Sequence, residues 1–170
     1  GPEVRDFERK FSKFLGMDYS VSFNSGTSGL HALLIAYGVE GKEVIVPSFT
    51  FISTVNAVVL AGGIPVFAEC EDKTFGLDAD DGSKKVSSKT KAILAMHYGG
   101  CCAKDIEKLR GIADRHKLIL IEDAAESLDS SIGPKKAGTF GHAAMFSFCQ
   151  NKLVTCGEGG MVVTDDKSLY

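Results

Sequence analysis

Three short segments carry residue types that could do chemistry. Asn24-Ser25-Gly26-Thr27-Ser28 follows an apolar run and precedes a helical pattern. A turn of that kind between a strand and a helix gathers free backbone N–H groups, hydroxyls and the positive end of a helix dipole, which is what a phosphate needs. The same turn also reads as a plain helix N-cap, and neither G-x-x-x-x-G-K-[ST] nor G-x-G-x-x-G accompanies it. Leu118-Ile119-Leu120-Ile121 runs into Glu122-Asp123, placing a carboxylate at the end of a buried strand. Asp123 there serves either a ligand or, as an N-cap, a helix over Ala124–Leu128. Phe146-Ser147-Phe148 leads through Cys149-Gln150-Asn151 to Lys152 and then to Gly157-Glu158-Gly159-Gly160. A lysine in a loop is ordinarily solvated, but an apolar, glycine-rich setting desolvates the ammonium and yields an amine nucleophilic toward an aldehyde. Phosphate cradle, carboxylate and lysine together are the three contacts that pyridoxal 5′-phosphate (PLP) requires: one for its phosphate, one for its ring nitrogen, one for its aldehyde.

The elements that must position these residues follow from apolar spacing. Val4, Phe7, Phe11 and Phe14/Leu15 recur at helical intervals up to Gly16. Tyr19–Phe23 reads as a strand, Gly29–Tyr37 as a helix stopped at Gly38, Val44–Val46 as a strand, Thr50–Ala61 as a helix ended by Gly62-Gly63, and Pro65–Glu69 as a strand. Strands at Lys91–His97 and Leu118–Glu122 flank a helix at Asp105–His116, and Ala143–Phe148 and Gly160–Thr164 are two more strands. The polar stretch Cys70–Thr90 reads as a surface excursion. Alternating strands and helices predict an α/β/α sandwich with a mostly parallel sheet, whose functional residues gather at the carboxyl ends of the strands.

Composition excludes several other classes. The 170 residues fit one domain. A net charge of −3 gives no electrostatic footprint for nucleic acid or an anionic membrane. Val44–Ala68 is uncharged and long enough to span a bilayer, but its prolines, glycines and hydroxyl residues divide it into two strands and a helix. Glu3–Lys13 is charged and amphipathic rather than a secretory h-region. Gly1-Pro2 reads either as a protease-cleavage scar or as native sequence. Five cysteines without a C-x-x-C pair argue against a disulfide framework and a metal site, and fit a reducing cytoplasm.

Four motifs in order, Asn24-Ser25-Gly26-Thr27-Ser28-Gly29-Leu30-His31, Pro47-Ser48-Phe49-Thr50-Phe51, Glu122-Asp123-Ala124-Ala125-Glu126 and Phe146-Ser147-Phe148…Asn151-Lys152…Gly157-Glu158-Gly159-Gly160, resemble the DegT-type sugar-nucleotide aminotransferases. These are fold-type I PLP enzymes. The resemblance implies that Lys152 is the Schiff-base lysine and Asp123 the partner of the pyridine nitrogen. It also implies that Gly26, Thr27 and Ser147 hold the phosphate, that Phe51 stacks on the ring and that Glu126 lies near the ring hydroxyl. His97, in Met96-His97-Tyr98-Gly99, sits on a further family motif and reads equally as a structural histidine. The family pattern continues past Tyr170, so residues 1–170 are expected to be part of the PLP-binding large domain, without the C-terminal small domain. The implied reaction moves an amino group, from glutamate, to a keto carbon of a nucleotide-linked deoxysugar, in a cytoplasmic homodimer. The rivals are a PLP-dependent sugar dehydratase, in which histidine replaces this lysine, and a non-catalytic oligomerisation or regulatory module. Cys149 is given no role.

Overall fold

The computed structural model describes residues 1–170. Its elements are α1 (Pro2–Leu15), β1 (Tyr19–Phe23), α2 (Gly26–Ala36), β2 (Glu43–Pro47), α3 (Ile52–Leu60), β3 (Ile64–Ala68), α4 (Ala79–Lys84), β4 (Thr90–Met96), α5 (Ile106–His116), β5 (Ile119–Asp123), β6 (Ser131–Ile132), β7 (Lys135–Lys136), β8 (Ala143–Ser147) and β9 (Gly160–Thr164). Seven strands form one sheet in the order β1-β9-β8-β5-β4-β2-β3, while β6 and β7 make a separate small hairpin. Neighbouring strands from β8 to β3 run parallel, and β9 is antiparallel to both β8 and β1.

Alternation along the strands explains why helices cover both faces. Val44, Val46, Leu94, Ile121 and Met145 point to one side, where Leu30, Leu33 and Leu34 of α2 and Ala57 and Val58 of α3 close the core. Ile45, Ile93, Ala95 and Leu120 point to the other, against Ile106, Leu109 and Ile112 of α5. On that second side α1 seals Ala144, Phe146, Met161 and Val163 with Phe11 and Leu15. The Phe11 ring packs edge-on against Phe146 and Phe148 at 5.2 and 5.6 Å. The apolar Val44–Ala68 stretch is β2, α3 and β3, and no helix is long and apolar enough to cross a membrane.

Several sequence expectations are corrected. The second helix starts at Gly26, three residues before its predicted start at Gly29, because Ser25 caps it by accepting the Ser28 N–H at 3.1 Å. No helix forms over Ala124–Leu128, which is a pair of turns. Asp123 is therefore the last residue of β5 and caps no helix. Cys70–Thr90 is more than a surface excursion: it contains α4, and its Leu77 and Ala79 are fully buried in the α5 core.

Candidate active site

A cavity of about 370 Å³ opens at the carboxyl ends of β4, β5 and β8, facing the amino ends of α2 and α3. Gly26, Thr27, Phe51, Asp123, Glu126, Ser147 and Lys152 all line it, with His97. Residues up to 126 positions apart in the chain, Gly26 and Lys152 at the extremes, thus meet at one place because the parallel strands end together.

The amino end of α2 is one wall. Its first residues, Gly26 and Thr27, line the cavity with Ser147, and the first N–H groups of a helix have no intrahelical acceptor. Close packing builds this wall. A Cβ on Gly26 would lie 2.7 Å from Met145 Sδ and 3.1 Å from Ser147 Cβ, and a Cβ on Gly160 would lie 2.6 Å from the Gly26 nitrogen. Glycine at these two positions lets β8 and β9 approach the turn, which is why Gly160 belongs to the site although it does not line the cavity.

Asp123 forms the floor. Its Oδ2 accepts from Thr54 Oγ1 at 2.8 Å and its Oδ1 from the Ala125 N–H at 3.1 Å. Burial pushes this carboxyl above the usual carboxylate range, against the opposing pull of those two donors and of the His97 and Lys152 fields. His97 is fully buried behind it. Its Nδ1 accepts from the Ala103 N–H at 2.9 Å, which leaves the proton on Nε2 to be donated to Glu122 Oε2 at 2.7 Å. Glu122 also accepts from the Gly138 and Gly141 N–H groups. Both ring nitrogens of His97 are engaged in tying the end of β4 to β5 and to the loop before α5, the contacts expected of a structural histidine.

Lys152 Nζ enters from the loop between β8 and β9 and lies 3.3 Å from Glu126 Oε1, while Glu126 Oε2 accepts the Gly99 N–H at 3.1 Å. The expected apolar setting is corrected here: the lysine is screened from solvent, with 18% of its side chain exposed, but its nearest partner is a carboxylate. Phe51 stands at the rim, 72% exposed, with its ring free to cover a ligand. Thr54 escapes sequence reasoning, and Thr50, quoted within Pro47-Ser48-Phe49-Thr50-Phe51, is given no role by it; Thr50 precedes α3 and Thr54 lies in its first turn, so the only local signal is a pair of hydroxyls four residues apart.

The residues present fit PLP: donors and a helix dipole for a phosphate, a buried carboxylate for a protonated ring nitrogen, and one amine, in a volume suited to a small cofactor. Comparisons with known proteins agree. A family model for the DegT/DnrJ/EryC1/StrS aminotransferase family matches residues 1–170. The chain is 44% identical to GDP-perosamine synthase of Vibrio cholerae, over 97% of this chain and 45% of that protein. It is 42% identical to GDP-perosamine synthase of Escherichia coli O157:H7, over 100% of this chain and 47% of that one. Among solved structures, DesI in the presence of its TDP-sugar product superposes with a TM-score of 0.94 at 39% identity, over 99% of this chain and 43% of that chain. NtdA from Bacillus subtilis with bound cofactor PMP gives 0.93 at 33% identity, over 99% and 38%. The chain thus spans about half the length of the curated relatives it matches. By its motifs, its sheet and this match over its whole length, the chain belongs to the DegT/DnrJ/EryC1/StrS aminotransferase family.

Proposed function

We propose that the full-length protein transfers an amino group from glutamate to a keto carbon of a nucleotide-linked deoxysugar. The observation that carries this reading is the convergence of Lys152, Asp123 and the amino end of α2 on one cavity. The GDP-perosamine synthase relatives support the substrate class. The cofactor is PLP, which when bound supplies an aldehyde for amine exchange and a ring that withdraws electrons.

The roles of the chain's own residues follow from their positions. Gly26 and Thr27 N–H groups and the Ser147 hydroxyl bind the phosphate. Asp123 would stabilise positive charge on the cofactor's ring nitrogen, and Phe51 would pack on its ring. Lys152 is the only lysine lining the cavity, so its Nζ would hold the cofactor covalently and, when free, would take and return the proton of the donor's α-carbon. Glu126 holds that amine in place until a ligand arrives. Lysine at 152 sets the reading apart from a dehydratase, in which this resemblance would call for histidine.

The test is a reconstituted full-length protein. A visible absorbance band should form with PLP, fade on adding glutamate and return on adding a nucleotide-linked keto sugar. A protein that stays colourless with PLP would support a non-catalytic module instead.

Two finer features belong to the proposal. The cytoplasm is the expected compartment, supported by five free thiols. A homodimer is expected because Ile52, Val59 and Leu60 of α3, with Phe67 of β3, are more than half exposed. Light scattering should give twice the monomer mass at micromolar concentration, and a cofactor-loaded monomer would overturn the dimer.

A further inference from the structure

Thr54 has no exposed surface, and its Oγ1 lies 2.8 Å from Asp123 Oδ2. Thr50 Oγ1 lies 2.9 Å from Thr54 Oγ1 and itself lines the cavity. These contacts have a direction. An ionised carboxylate can only accept, so Thr54 commits its single proton to Asp123, and the Thr54 oxygen is then free to accept the proton of Thr50. The Met96 sulfur, 3.0 Å from Thr50, is a weaker acceptor competing for that same proton. Two hydroxyls in series, both pointing their protons toward one buried oxygen, favour its charged form.

Without such donors a carboxyl in this position would become neutral, since burial penalises its charge. The titratable groups that face it are few: Lys152 from the loop between β8 and β9, which carries charge, and His97 from the end of β4, whose Nδ1 accepts from the Ala103 N–H and whose ring is therefore neutral. Glu126 pairs with Lys152, and Glu122 is turned to His97. From the amino ends of α2 and α3 and the residues just before them no titratable side chain lines the cavity: Ser25, Thr27, Thr50 and Ser53 bring hydroxyls and Phe51 a ring. The amide of Ala125 fixes the other oxygen, Oδ1, so Thr54 decides the state of Oδ2.

We infer that Thr54, fed by Thr50, is a positioning residue that holds Asp123 ionised and in one orientation before any cofactor binds. Its value to catalysis rests on the proposed role of Asp123 toward the ring nitrogen; the contact itself does not. The test therefore starts from the cofactor-free full-length chain, compared in urea at about pH 8 and about pH 4.5, on either side of the range in which a raised carboxyl titrates. Because burial raises the folded-state value of Asp123, stability attached to this group is complete at low pH and lost as pH rises through that value. Removing the Thr54 donor deepens the loss.

Thr54→Val should lower the folding equilibrium constant roughly tenfold more at the higher pH than at the lower, the scale of one hydrogen bond to a charged group. The excess should vanish in an Asp123→Asn background, and Thr54→Ser should behave as the parent. If Thr54→Val does not fold, Thr50→Val should show the same sign with a smaller excess. A cost equal at both pH values, or an excess that persists with Asn at 123, overturns the relay. If instead the excess appears while the spectrum of bound PLP is unchanged by Thr54→Val, the relay stands and the cofactor role of Asp123 falls.

Discussion

Lys152→Ala should abolish covalent retention of PLP and lower amino transfer by at least about 10²–10⁴-fold, the usual worth of a positioned proton-transfer group, with the lost covalent step in addition. No other lysine can substitute. Lys136 is drawn to Asp129 at 2.7 Å and lies over the Phe14 ring at 3.6 Å, and Lys135 sits over Phe140 at 4.8 Å, both outside the cavity. Glu126 would lose its cationic partner but keep the Gly99 N–H, so the cavity should survive. Mass spectrometry after borohydride reduction decides the matter: the parent protein should carry the phosphopyridoxyl adduct at Lys152 and the variant none. An adduct on another lysine would remove Lys152 from its assigned role.

Asp123→Asn should leave the fold intact while slowing the half-reaction with glutamate by several orders of magnitude, at about 1.4 kcal/mol per tenfold. The asparagine keeps one acceptor oxygen, enough for either Thr54 or the Ala125 N–H, with its NH2 group in place of the other, and brings no negative charge to the floor of the cavity. A cation on the ring nitrogen then loses its only close anionic partner at that depth, and the ring withdraws electrons less well. Bound PLP should also release its ring proton at lower pH in the variant than in the parent. Rapid-mixing measurement of the glutamate half-reaction is the readout. Near-parental rates would reduce Asp123 to a strand-end residue with a structural hydrogen bond.

Much of this site was legible because it depends on local order. Strands of β-branched residues end where polar motifs begin, and parallel strands bring those ends together, so Gly26, Asp123, Ser147 and Lys152 could be grouped before any coordinates. What stayed hidden depends on partners distant in sequence. Asp123 looks like a helix cap until Thr54, 69 residues earlier, is seen to donate to it. The interior position of Leu77 is invisible in a polar stretch, because the cluster that buries it is drawn from distant elements, among them α5 and the strands β2 and β4. The surroundings of Lys152 were misjudged for the same reason. Flanking glycines and phenylalanines suggested an apolar wall, whereas Glu126 arrives from another strand end.

The antiparallel strand β9 also sets the order in which the molecule can be made. Its residues separate β1 from the rest of the sheet, and Asp18 N–H reaches Asp165 Oδ1 at 2.8 Å across 147 residues of chain. Until residues 160–164 leave the ribosome, β1 has no neighbour and the turn at Ser25-Gly26 lacks the strand that packs against it. At about 5–20 residues per second, synthesis holds the amino-terminal strand unpaired for roughly ten seconds or more. Closing so long a loop carries a larger entropy cost than pairing strands adjacent in sequence. The packing that shapes the Gly26-Thr27 turn is therefore absent from the nascent chain until β9 has joined the sheet.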